Sequence, residues 1–394
     1  MAGKVKVFDI INYISDDDLE FLTKETAVDW NVKKLHGKEL FKLLIFGVLN
    51  ENRSSSRVFE SFYENIIFQK LGNIEKGKKV SHSSIAERIG KVDVRFFEQI
   101  YEKCVEKFSP LFSEKEAVKF SIYDSTITSL SSELLKFGMQ NGAKTKDNTQ
   151  GKMSLKFTVG FSGLPFRINF HQEQKMISED LALGDILEQH ACSKNDVAVF
   201  DRGMKNRNVM MKLSENQQYF VTRIYKNSKF VAAKDTKEII LNYEDDGIQL
   251  LNAKKVHLFS HTRKIPVTFR LVEGILKDNN EKILFLSNLP DEFSEQSIAS
   301  IYKNRWKIEQ FFRFIKQEIN FKHFFSRQWN GVKVMTYAIL IASILLLVYI
   351  KLNKLKGYKI PKISFCQELQ NEILERIVIH CGGDPSKIID FSGG

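Results

Sequence analysis

Two aspartates follow strand-like, apolar stretches of the chain. Asp124 comes in the sequence FSIYDST, and Asp201 comes in VAVFDRG. A carboxylate at the end of a buried strand points into the crevice at the sheet edge, where such sheets usually bind ligands. Carboxylate oxygens there suit hard divalent cations such as Mg2+ or Mn2+. An aspartate after a strand is also a common turn former or helix cap, so neither aspartate alone predicts a catalytic site.

A third group lies on a stretch, 294–320, that predicts one long helix. Its members are spaced 3, 4 and 7 positions apart and, at about 100° per residue, share a stripe roughly 60° wide: Tyr302, Arg305, Glu309 and Lys316. An acid between two bases is also typical of an ordinary ion pair on a solvated helix. Large apolar residues crowd the same stretch, which indicates a packed helix: Trp306, Ile308, Phe311, Phe312, Phe314 and Ile315.

These residues resemble the motifs of a known family. The pattern Tyr-x2-Arg-x3-Glu-x6-Lys is similar to the motif of the insertion sequence 4 type of bacterial DDE transposases. Asp124-Ser125-Thr126 resembles the family's first acidic motif, and Asp201-Arg202-Gly203 resembles the second. The resemblance covers about residues 115–350. It departs from the family at Met204, where an aromatic is usual, and at Lys156, where a histidine is frequent.

The resemblance implies a chemistry and a cofactor. It makes Asp124, Asp201 and Glu309 the catalytic residues and metal ligands of a transposase that binds terminal repeats, cleaves the DNA there and joins the ends to target DNA. Phosphoryl transfer of this kind uses two divalent ions about 3.5–4 Å apart. We therefore expect two Mg2+ or Mn2+ ions. The sequence contains no nucleotide-binding motif, so no nucleotide cofactor is expected.

Basic and aromatic residues predict two groups of DNA contacts. Between 302 and 327 the chain has seven lysines and arginines against two acids, with aromatic residues interleaved, which suits a distorted DNA end. The contacts predicted in the catalytic region are Tyr302, Arg305, Lys316, Trp306, Arg313 and Lys156. In 76–88, KGKKVSHSSIAER resembles the start of a helix-turn-helix recognition helix, which adds Lys78, Lys79 and Arg88. A plain helical bundle is the alternative for this second group.

The order of the predicted elements indicates an α/β fold with several segments. Residues 1–112 predict a helical N-terminal domain that binds DNA ends, and 113–224 predict the first part of a ribonuclease H-like catalytic domain with a mixed sheet. Residues 225–288 predict a β-rich insertion, 289–355 the second part of the catalytic domain, and 356–394 a helical tail.

The composition of the chain indicates the kind of partner that it binds and the compartment in which it acts. The net charge of +11 over 394 residues favours a polyanionic partner, which the resemblance makes double-stranded DNA, at transposon ends and target, bound by a homodimer. Four cysteines without a C-x-x-C pair and no signal-like N-terminus predict a reducing cytoplasm, with the protein associated with the nucleoid. The charge-free run 334–350 predicts either a buried core helix or a membrane span, and we favour the core helix.

Three alternatives remain open. A transposase-derived DNA-binding protein without catalytic activity would not need all three acids. A nuclease of the same fold would cut DNA without strand transfer. A membrane protein would use the apolar run as its span.

Overall fold

The chain divides into two compact units. The computed structural model describes residues 5–50, 55–75, 77–112, 119–129, 136, 138–141, 152–189, 196–233, 238–245, 247–260, 263–319, 321, 326 and 328–388. The helical unit consists of Met1–Leu111, Ser131–Lys136 and Phe312–Gly394, and the sheet unit consists of Phe112–Leu130 and Phe137–Phe311.

The helices of the described residues lie in both units. They are α1 Val7–Ile11, α2 Asp16–Glu25, α3 Gly37–Asn50, α4 Ser56–Glu64, α5 Ile66–Gly72, α6 His82–Lys91, α7 Val94–Phe112, α8 Glu179–Gln189, α9 Arg207–Glu215, α10 Glu295–Lys303, α11 Trp306–Gln317, α12 Trp329–Leu352 and α13 Lys359–His380.

The strands of the described residues belong to the sheet unit. They are β1 Phe120–Ser129, β2 Met139–Asn141, β3 Lys152–Phe161, β4 Pro165–His171, β5 Val197–Phe200, β6 Tyr219–Arg223, β7 Val231–Ala232, β8 Ile239–Asp245, β9 Ile248–Ser260, β10 Arg263–Leu276 and β11 Glu281–Ser287.

Side-chain caps set the helix boundaries in the helical unit. Ser15 accepts a bond from the backbone N–H of Asp18 at 3.0 Å, and the Asp18 carboxylate accepts from the backbone N–H of Ser15 at 3.3 Å. This reciprocal pair satisfies two free donors at the start of α2. Asn65 ends α4 and caps α5 through a bond from the Ile67 N–H at 2.8 Å. The chain therefore forms two separate helices on either side of Asn65.

The charge-free run forms the core of the helical unit. It lies in α12, which is long and apolar enough to cross a membrane, yet almost all of its most apolar stretch is buried inside the protein. The helix packs against α3, α6 and α13. Burial on every face is typical of a core helix, as the core-helix interpretation predicts.

One large sheet organises the sheet unit. Its strand order is β2-β3-β1-β5-β6-β11-β10-β9-β7, with β4 also paired to β3 and β8 to β9. Strands β1, β5 and β6 are parallel, whereas β3 runs antiparallel to β1. The strands predicted over 225–288 extend this same sheet, because β11 pairs with β6. The mixed sheet confirms the predicted α/β class.

Two predictions about chain organisation differ from the structure. The helix predicted over 294–320 is interrupted by a turn at Asn304 and Arg305, so its four motif residues do not share one continuous helical face. The predicted boundary at 355 does not separate two compact units either. Residues from Phe312 onward belong to the helical unit, and α13 contributes the buried Phe365 and Leu369 to it.

Candidate active site

The two aspartates are neighbours because of the parallel pairing of β1 and β5. The last paired residues are Tyr123 and Phe200, so Asp124 and Asp201 come next on adjacent strands. Asp201 follows the end of β5, as predicted. Asp124 does not end its strand, since β1 continues to Ser129 by pairing with β3. What ends at Asp124 is the parallel pairing, and this opens the crevice where ligands of such sheets bind.

Glu309 reaches the same region from the first turn of α11. Ile308 and Phe311 on this helix are fully buried. The Phe311 ring packs on Phe161 of β3 with the ring centres 5.0 Å apart, and Phe161 belongs to the strand that pairs with β1. The contact of Phe311 with β3 therefore helps to hold Glu309 near the aspartates.

Arg305 joins two of the three acids. Its guanidinium donates to the Asp124 carboxylate at 3.2 Å and to the Glu309 carboxylate one helical turn away. Both contacts leave from the turn between α10 and α11. Arg305 lies largely buried, and its Nε atom has no hydrogen-bond partner within the described residues. The cation therefore compensates acids from two distant parts of the chain.

Tyr302 contacts the third acid, Asp201. Its hydroxyl donates to the Asp201 carboxylate at 3.0 Å, and its ring is buried against Phe285, with the ring centres 5.3 Å apart. We predicted a DNA contact for Tyr302. The structure does not support that prediction, because the ring is covered and the hydroxyl is already engaged.

Burial dominates the electrostatics of the acids. It raises the pKa of Asp124 to about 7, since desolvation disfavours the carboxylate, and nearby Glu179 and Asp201 act in the same direction. The Arg305 charge and a bond from the Ser125 N–H at 2.8 Å oppose this shift. The pKa of Arg305 is raised, because the surrounding anionic groups outweigh the effect of its burial. The site is thus a concentration of acids held around one cation.

The donor set fits hard divalent cations in type and charge. Asp124, Asp201 and Glu309 offer carboxylate oxygens, the ligands that Mg2+ and Mn2+ prefer. Among the described residues, however, no three His, Cys, Asp or Glu side chains are grouped closely enough to hold a metal ion. Arg305 binds two of the acids instead.

Two acids at the start of α8, which the sequence reasoning missed, support the Asp201 turn. Asp180 accepts bonds from the backbone N–H groups of Lys205 at 2.5 Å and Asn206 at 2.7 Å. Glu179 lies so close to Gly203 that a side chain on Gly203 would collide with it. The glycine of Asp201-Arg202-Gly203 is thus explained by this close approach. The detectable signal was a pair of acids opening a predicted helix, which is also typical of ordinary helix starts.

Lys156 is a structural residue in this arrangement. Its side chain is fully buried, and its ammonium group lies 2.9 Å from the Glu179 carboxylate and donates to the Ile177 carbonyl at 3.0 Å. The predicted DNA contact by Lys156 is therefore not supported, since the charge is already paired beneath the surface.

The remaining predicted contacts of the catalytic region lie along α11. Trp306 is the first residue of this helix, and about half of its surface is exposed. Arg313, which is exposed, and Lys316 follow Phe311 and belong to the helical unit. The structure thus brings Asp124, Asp201, Tyr302, Arg305 and Glu309 together within the sheet unit.

The predicted N-terminal contacts separate into two kinds. Arg88 points into the helical unit, where it bonds the Val28 carbonyl at 2.8 Å and Asp29 at 3.1 Å. Its predicted DNA contact is not supported, because its guanidinium is committed to this interior network. Lys78 bonds Glu39 at 2.7 Å, whereas Lys79 is largely exposed. Lys76 lies outside the described residues.

A mixed sheet that carries two aspartates on its strands and a glutamate on a helix is typical of the DDE class of DNA-processing proteins. The family model of the transposase DDE domain matches residues 119–345, more than half of the 394 residues. The chain therefore belongs to the transposase DDE domain family, which confirms the resemblance drawn from the Tyr302 to Lys316 motif. Members of this family generally use divalent metal ions.

Similar proteins agree with this family. The chain is 28% identical to the candidate transposase y4zB of Sinorhizobium fredii over 40% of its length and 43% of the relative's. It is 25% identical to the candidate transposase for insertion sequence element IS4SA of Synechocystis, over 75% of this chain and 82% of that protein. For the probable insertion sequence IS5377 transposase of Geobacillus stearothermophilus, the identity is 26% over 56% of this chain and 65% of the relative. The chain thus spans less than half of the first relative.

A solved structure shows the same fold. The piggyBac transposase in a synaptic complex with hairpin DNA matches with a TM-score of 0.50 at 10% identity, covering 94% of this chain and 81% of that chain. This likeness confirms the predicted ribonuclease H-like fold.

Proposed function

We propose that this chain is a DNA transposase that binds the terminal repeats of its own element, cleaves the DNA there and joins the ends to target DNA. The observation that carries the proposal is the double contact of Arg305 with Asp124 and Glu309. It gathers acids from two distant chain segments in one crevice, next to Asp201, which Tyr302 holds.

Asp124, Asp201 and Glu309 would hold two Mg2+ or Mn2+ ions. Bound ions of this kind activate the attacking water or 3′-hydroxyl and stabilise the leaving oxygen. The chain's own residues have separate roles: the Tyr302 hydroxyl orients Asp201, and the acids of α8 fix the turn that follows it. Arg305 provides a positive charge beside the reacting phosphate.

The partners follow from charge and mechanism. The net charge of +11 suits double-stranded DNA, both transposon ends and target. A homodimer assembled on DNA would bring two ends together, and no nucleotide cofactor is needed. Such a protein would act in the bacterial cytoplasm at the nucleoid.

Incubation of the protein with DNA carrying its own element's ends, with Mg2+ or with EDTA, tests this proposal. On a denaturing gel we expect Mg2+-dependent nicks at the element boundary and, with added plasmid, joined products. Cleavage without joined products would favour a nuclease of the same fold. Binding without any cleavage would favour a DNA-binding derivative, and either result would refute the proposal as stated.

A further inference from the structure

Trp30 is the most exposed aromatic side chain among the described residues. It is 85% exposed in the connection between α2 and α3, within the helical unit. Burying an indole is strongly favourable, so a partner that covers Trp30 would gain binding energy from this side chain.

The backbone around Trp30 is held in an unusual conformation. Ala27, Asn31 and Leu35 have positive φ angles of 50°, 57° and 59°. Residues other than glycine rarely adopt this region of backbone conformation. Such strain persists only where the surrounding structure enforces it, and it concentrates at functional sites. The helical unit therefore holds this connection in a defined conformation.

Arg88 provides much of that enforcement. Its guanidinium binds the carbonyls of Val28 and Leu35 at 2.8 Å and 3.1 Å, and the Asp29 carboxylate at 3.1 Å. Asp29 also accepts a bond from the Gly37 N–H at 2.6 Å. Both sides of Trp30 are thus tied to α6 and to the start of α3, which gives the exposed indole a rigid base.

A cavity of about 450 Å3 lies beside the indole, a volume typical of small-ligand pockets. Trp30 and Lys34 line it from the connection, and Ser84, Arg88 and Lys91 line it from α6. Glu87 and Asp93 line it as well, so the cavity combines a flat aromatic wall with hydroxyl, cationic and carboxylate groups.

The uncompensated charge at this surface is positive. The acids around it are paired: Asp29 with Arg88, Glu87 with Lys91 and Asp93 with Arg95. By contrast, Lys33 and Lys34 are exposed, and neither has an ion-pair partner among the residues that the structure describes. An anionic partner with a flat ring complements this surface.

We propose that this surface, formed by Trp30, Lys33, Lys34 and the cavity beside them, binds an unstacked nucleobase of DNA. The base stacks on the indole, and the lysines bind the flanking phosphates. Aromatic side chains beside basic residues bind single-stranded nucleic acid in this way, whatever the base. The inference builds on the proposed DNA substrate but not on cleavage.

Fluorescence anisotropy with the full-length protein tests it. The probes are a fluorescein-labelled duplex of the element's terminal sequence with blunt ends and the same duplex with a single-stranded extension. We expect Trp30→Ala to weaken binding of the extended probe roughly 5- to 150-fold, the equivalent of one lost base stack of about 1–3 kcal/mol. The blunt probe should lose much less, and Trp30→Phe should keep most of the affinity. Phe21→Ala, which removes another exposed aromatic of the helical unit, is the matched control.

Salt titration supplies a second measurement. Lys33→Gln and Lys34→Gln should each reduce the slope of log affinity against log salt by about 0.7 on the extended probe. The proposal is overturned if Trp30→Ala binds the extended probe like the wild type, loses both probes equally, or behaves like Phe21→Ala. Trp30-dependent binding without any cleavage would refute the proposed function and leave this inference standing. Normal cleavage with Trp30-independent binding would do the reverse.

Discussion

The Arg305 guanidinium donates to the Asp124 carboxylate at 3.2 Å, although 181 residues separate them along the chain. The contact is possible because the helix is interrupted at Asn304 and Arg305, between α10 and α11. The same side chain reaches Glu309 in the next turn. One cation thus organises acids whose mutual repulsion would otherwise oppose folding.

This role predicts that Arg305→Gln destabilises the metal-free protein. Removing one partner of a buried charge pair leaves the other charge uncompensated. Since the site is partly open, we expect a loss of about 1–3 kcal/mol in the free energy of unfolding, measured by urea denaturation in EDTA. With Mg2+ present the loss should shrink, because a bound cation would compensate the same acids.

Arg95→Gln is the control for this experiment. It breaks an exposed ion pair with Asp93, which is worth about 0–1 kcal/mol. Equal losses for the two variants would show that Arg305 does no more than a surface cation.

The positions of the acids could be predicted from the sequence, but their contacts could not. Apolar strand patterns ending near Asp124 and Asp201 predict neighbouring carboxylates, because parallel strands align their ends. The residues around Arg305 do not predict the turn, because neither glycine nor proline interrupts the helical pattern there. The sequence also does not determine whether a long basic side chain points to solvent or to the interior. Lys156 and Arg88 point inward because they pair there with Glu179 and Asp29.

The three acids should be required for cleavage and dispensable for DNA binding. Asp124→Asn, Asp201→Asn and Glu309→Gln each remove a predicted metal ligand while preserving shape. We expect cleavage of the element's ends to fall below detection for each variant, with affinity for end DNA in EDTA unchanged within about threefold, or 0.7 kcal/mol. Cleavage assays and gel shifts on the same preparations measure both.

Glu188→Gln is the matched control for these variants. Glu188 lies on α8 in the sheet unit and forms an exposed pair with Lys212, so its change should leave cleavage intact. Wild-type cutting by any one of the three site variants would remove that residue from the proposed metal site.

Binding to end DNA should weaken steeply with salt. A net charge of +11 predicts several phosphate contacts, and each contributes about −0.9 to the slope of log affinity against log salt. Anisotropy titrations at increasing KCl concentration give this slope. A slope near zero would argue against DNA as the substrate.

Arg88 should contribute to the stability of the helical unit rather than to DNA binding. Arg88→Ala removes the bonds to Val28, Leu35 and Asp29, and we expect a loss of about 2–4 kcal/mol in the free energy of unfolding. Lys79→Ala, at an exposed position, should cost less than about 0.5 kcal/mol. Urea denaturation of both variants makes the comparison, and a fully stable Arg88→Ala protein would reopen its role as a DNA contact.

The final prediction concerns cutting between subunits. If each subunit of a DNA-bound dimer holds one end and cuts the other, a protein defective in catalysis and a protein defective in end binding should complement each other. Deleting residues 1–110 is a poor way to remove end binding, because α12 packs against α3 and α6 and would lose its cover. Arg88→Ala is unsuitable as well, since that side chain holds the Trp30 connection together.

Exposed lysines give a cleaner end-binding variant. We therefore combine Lys33→Ala, Lys34→Ala and Lys79→Ala in one chain and mix it with Glu309→Gln on paired ends. Neither protein alone should cut, whereas the mixture should restore part of the wild-type cleavage, because mixed dimers place an intact acid set on an end that the other subunit holds. A denaturing gel measures the product, and unfolding curves check that both proteins are folded. Cleavage that stays absent from the mixture, while both variants fold and Glu309→Gln binds ends, would mean that each subunit cuts the end it holds.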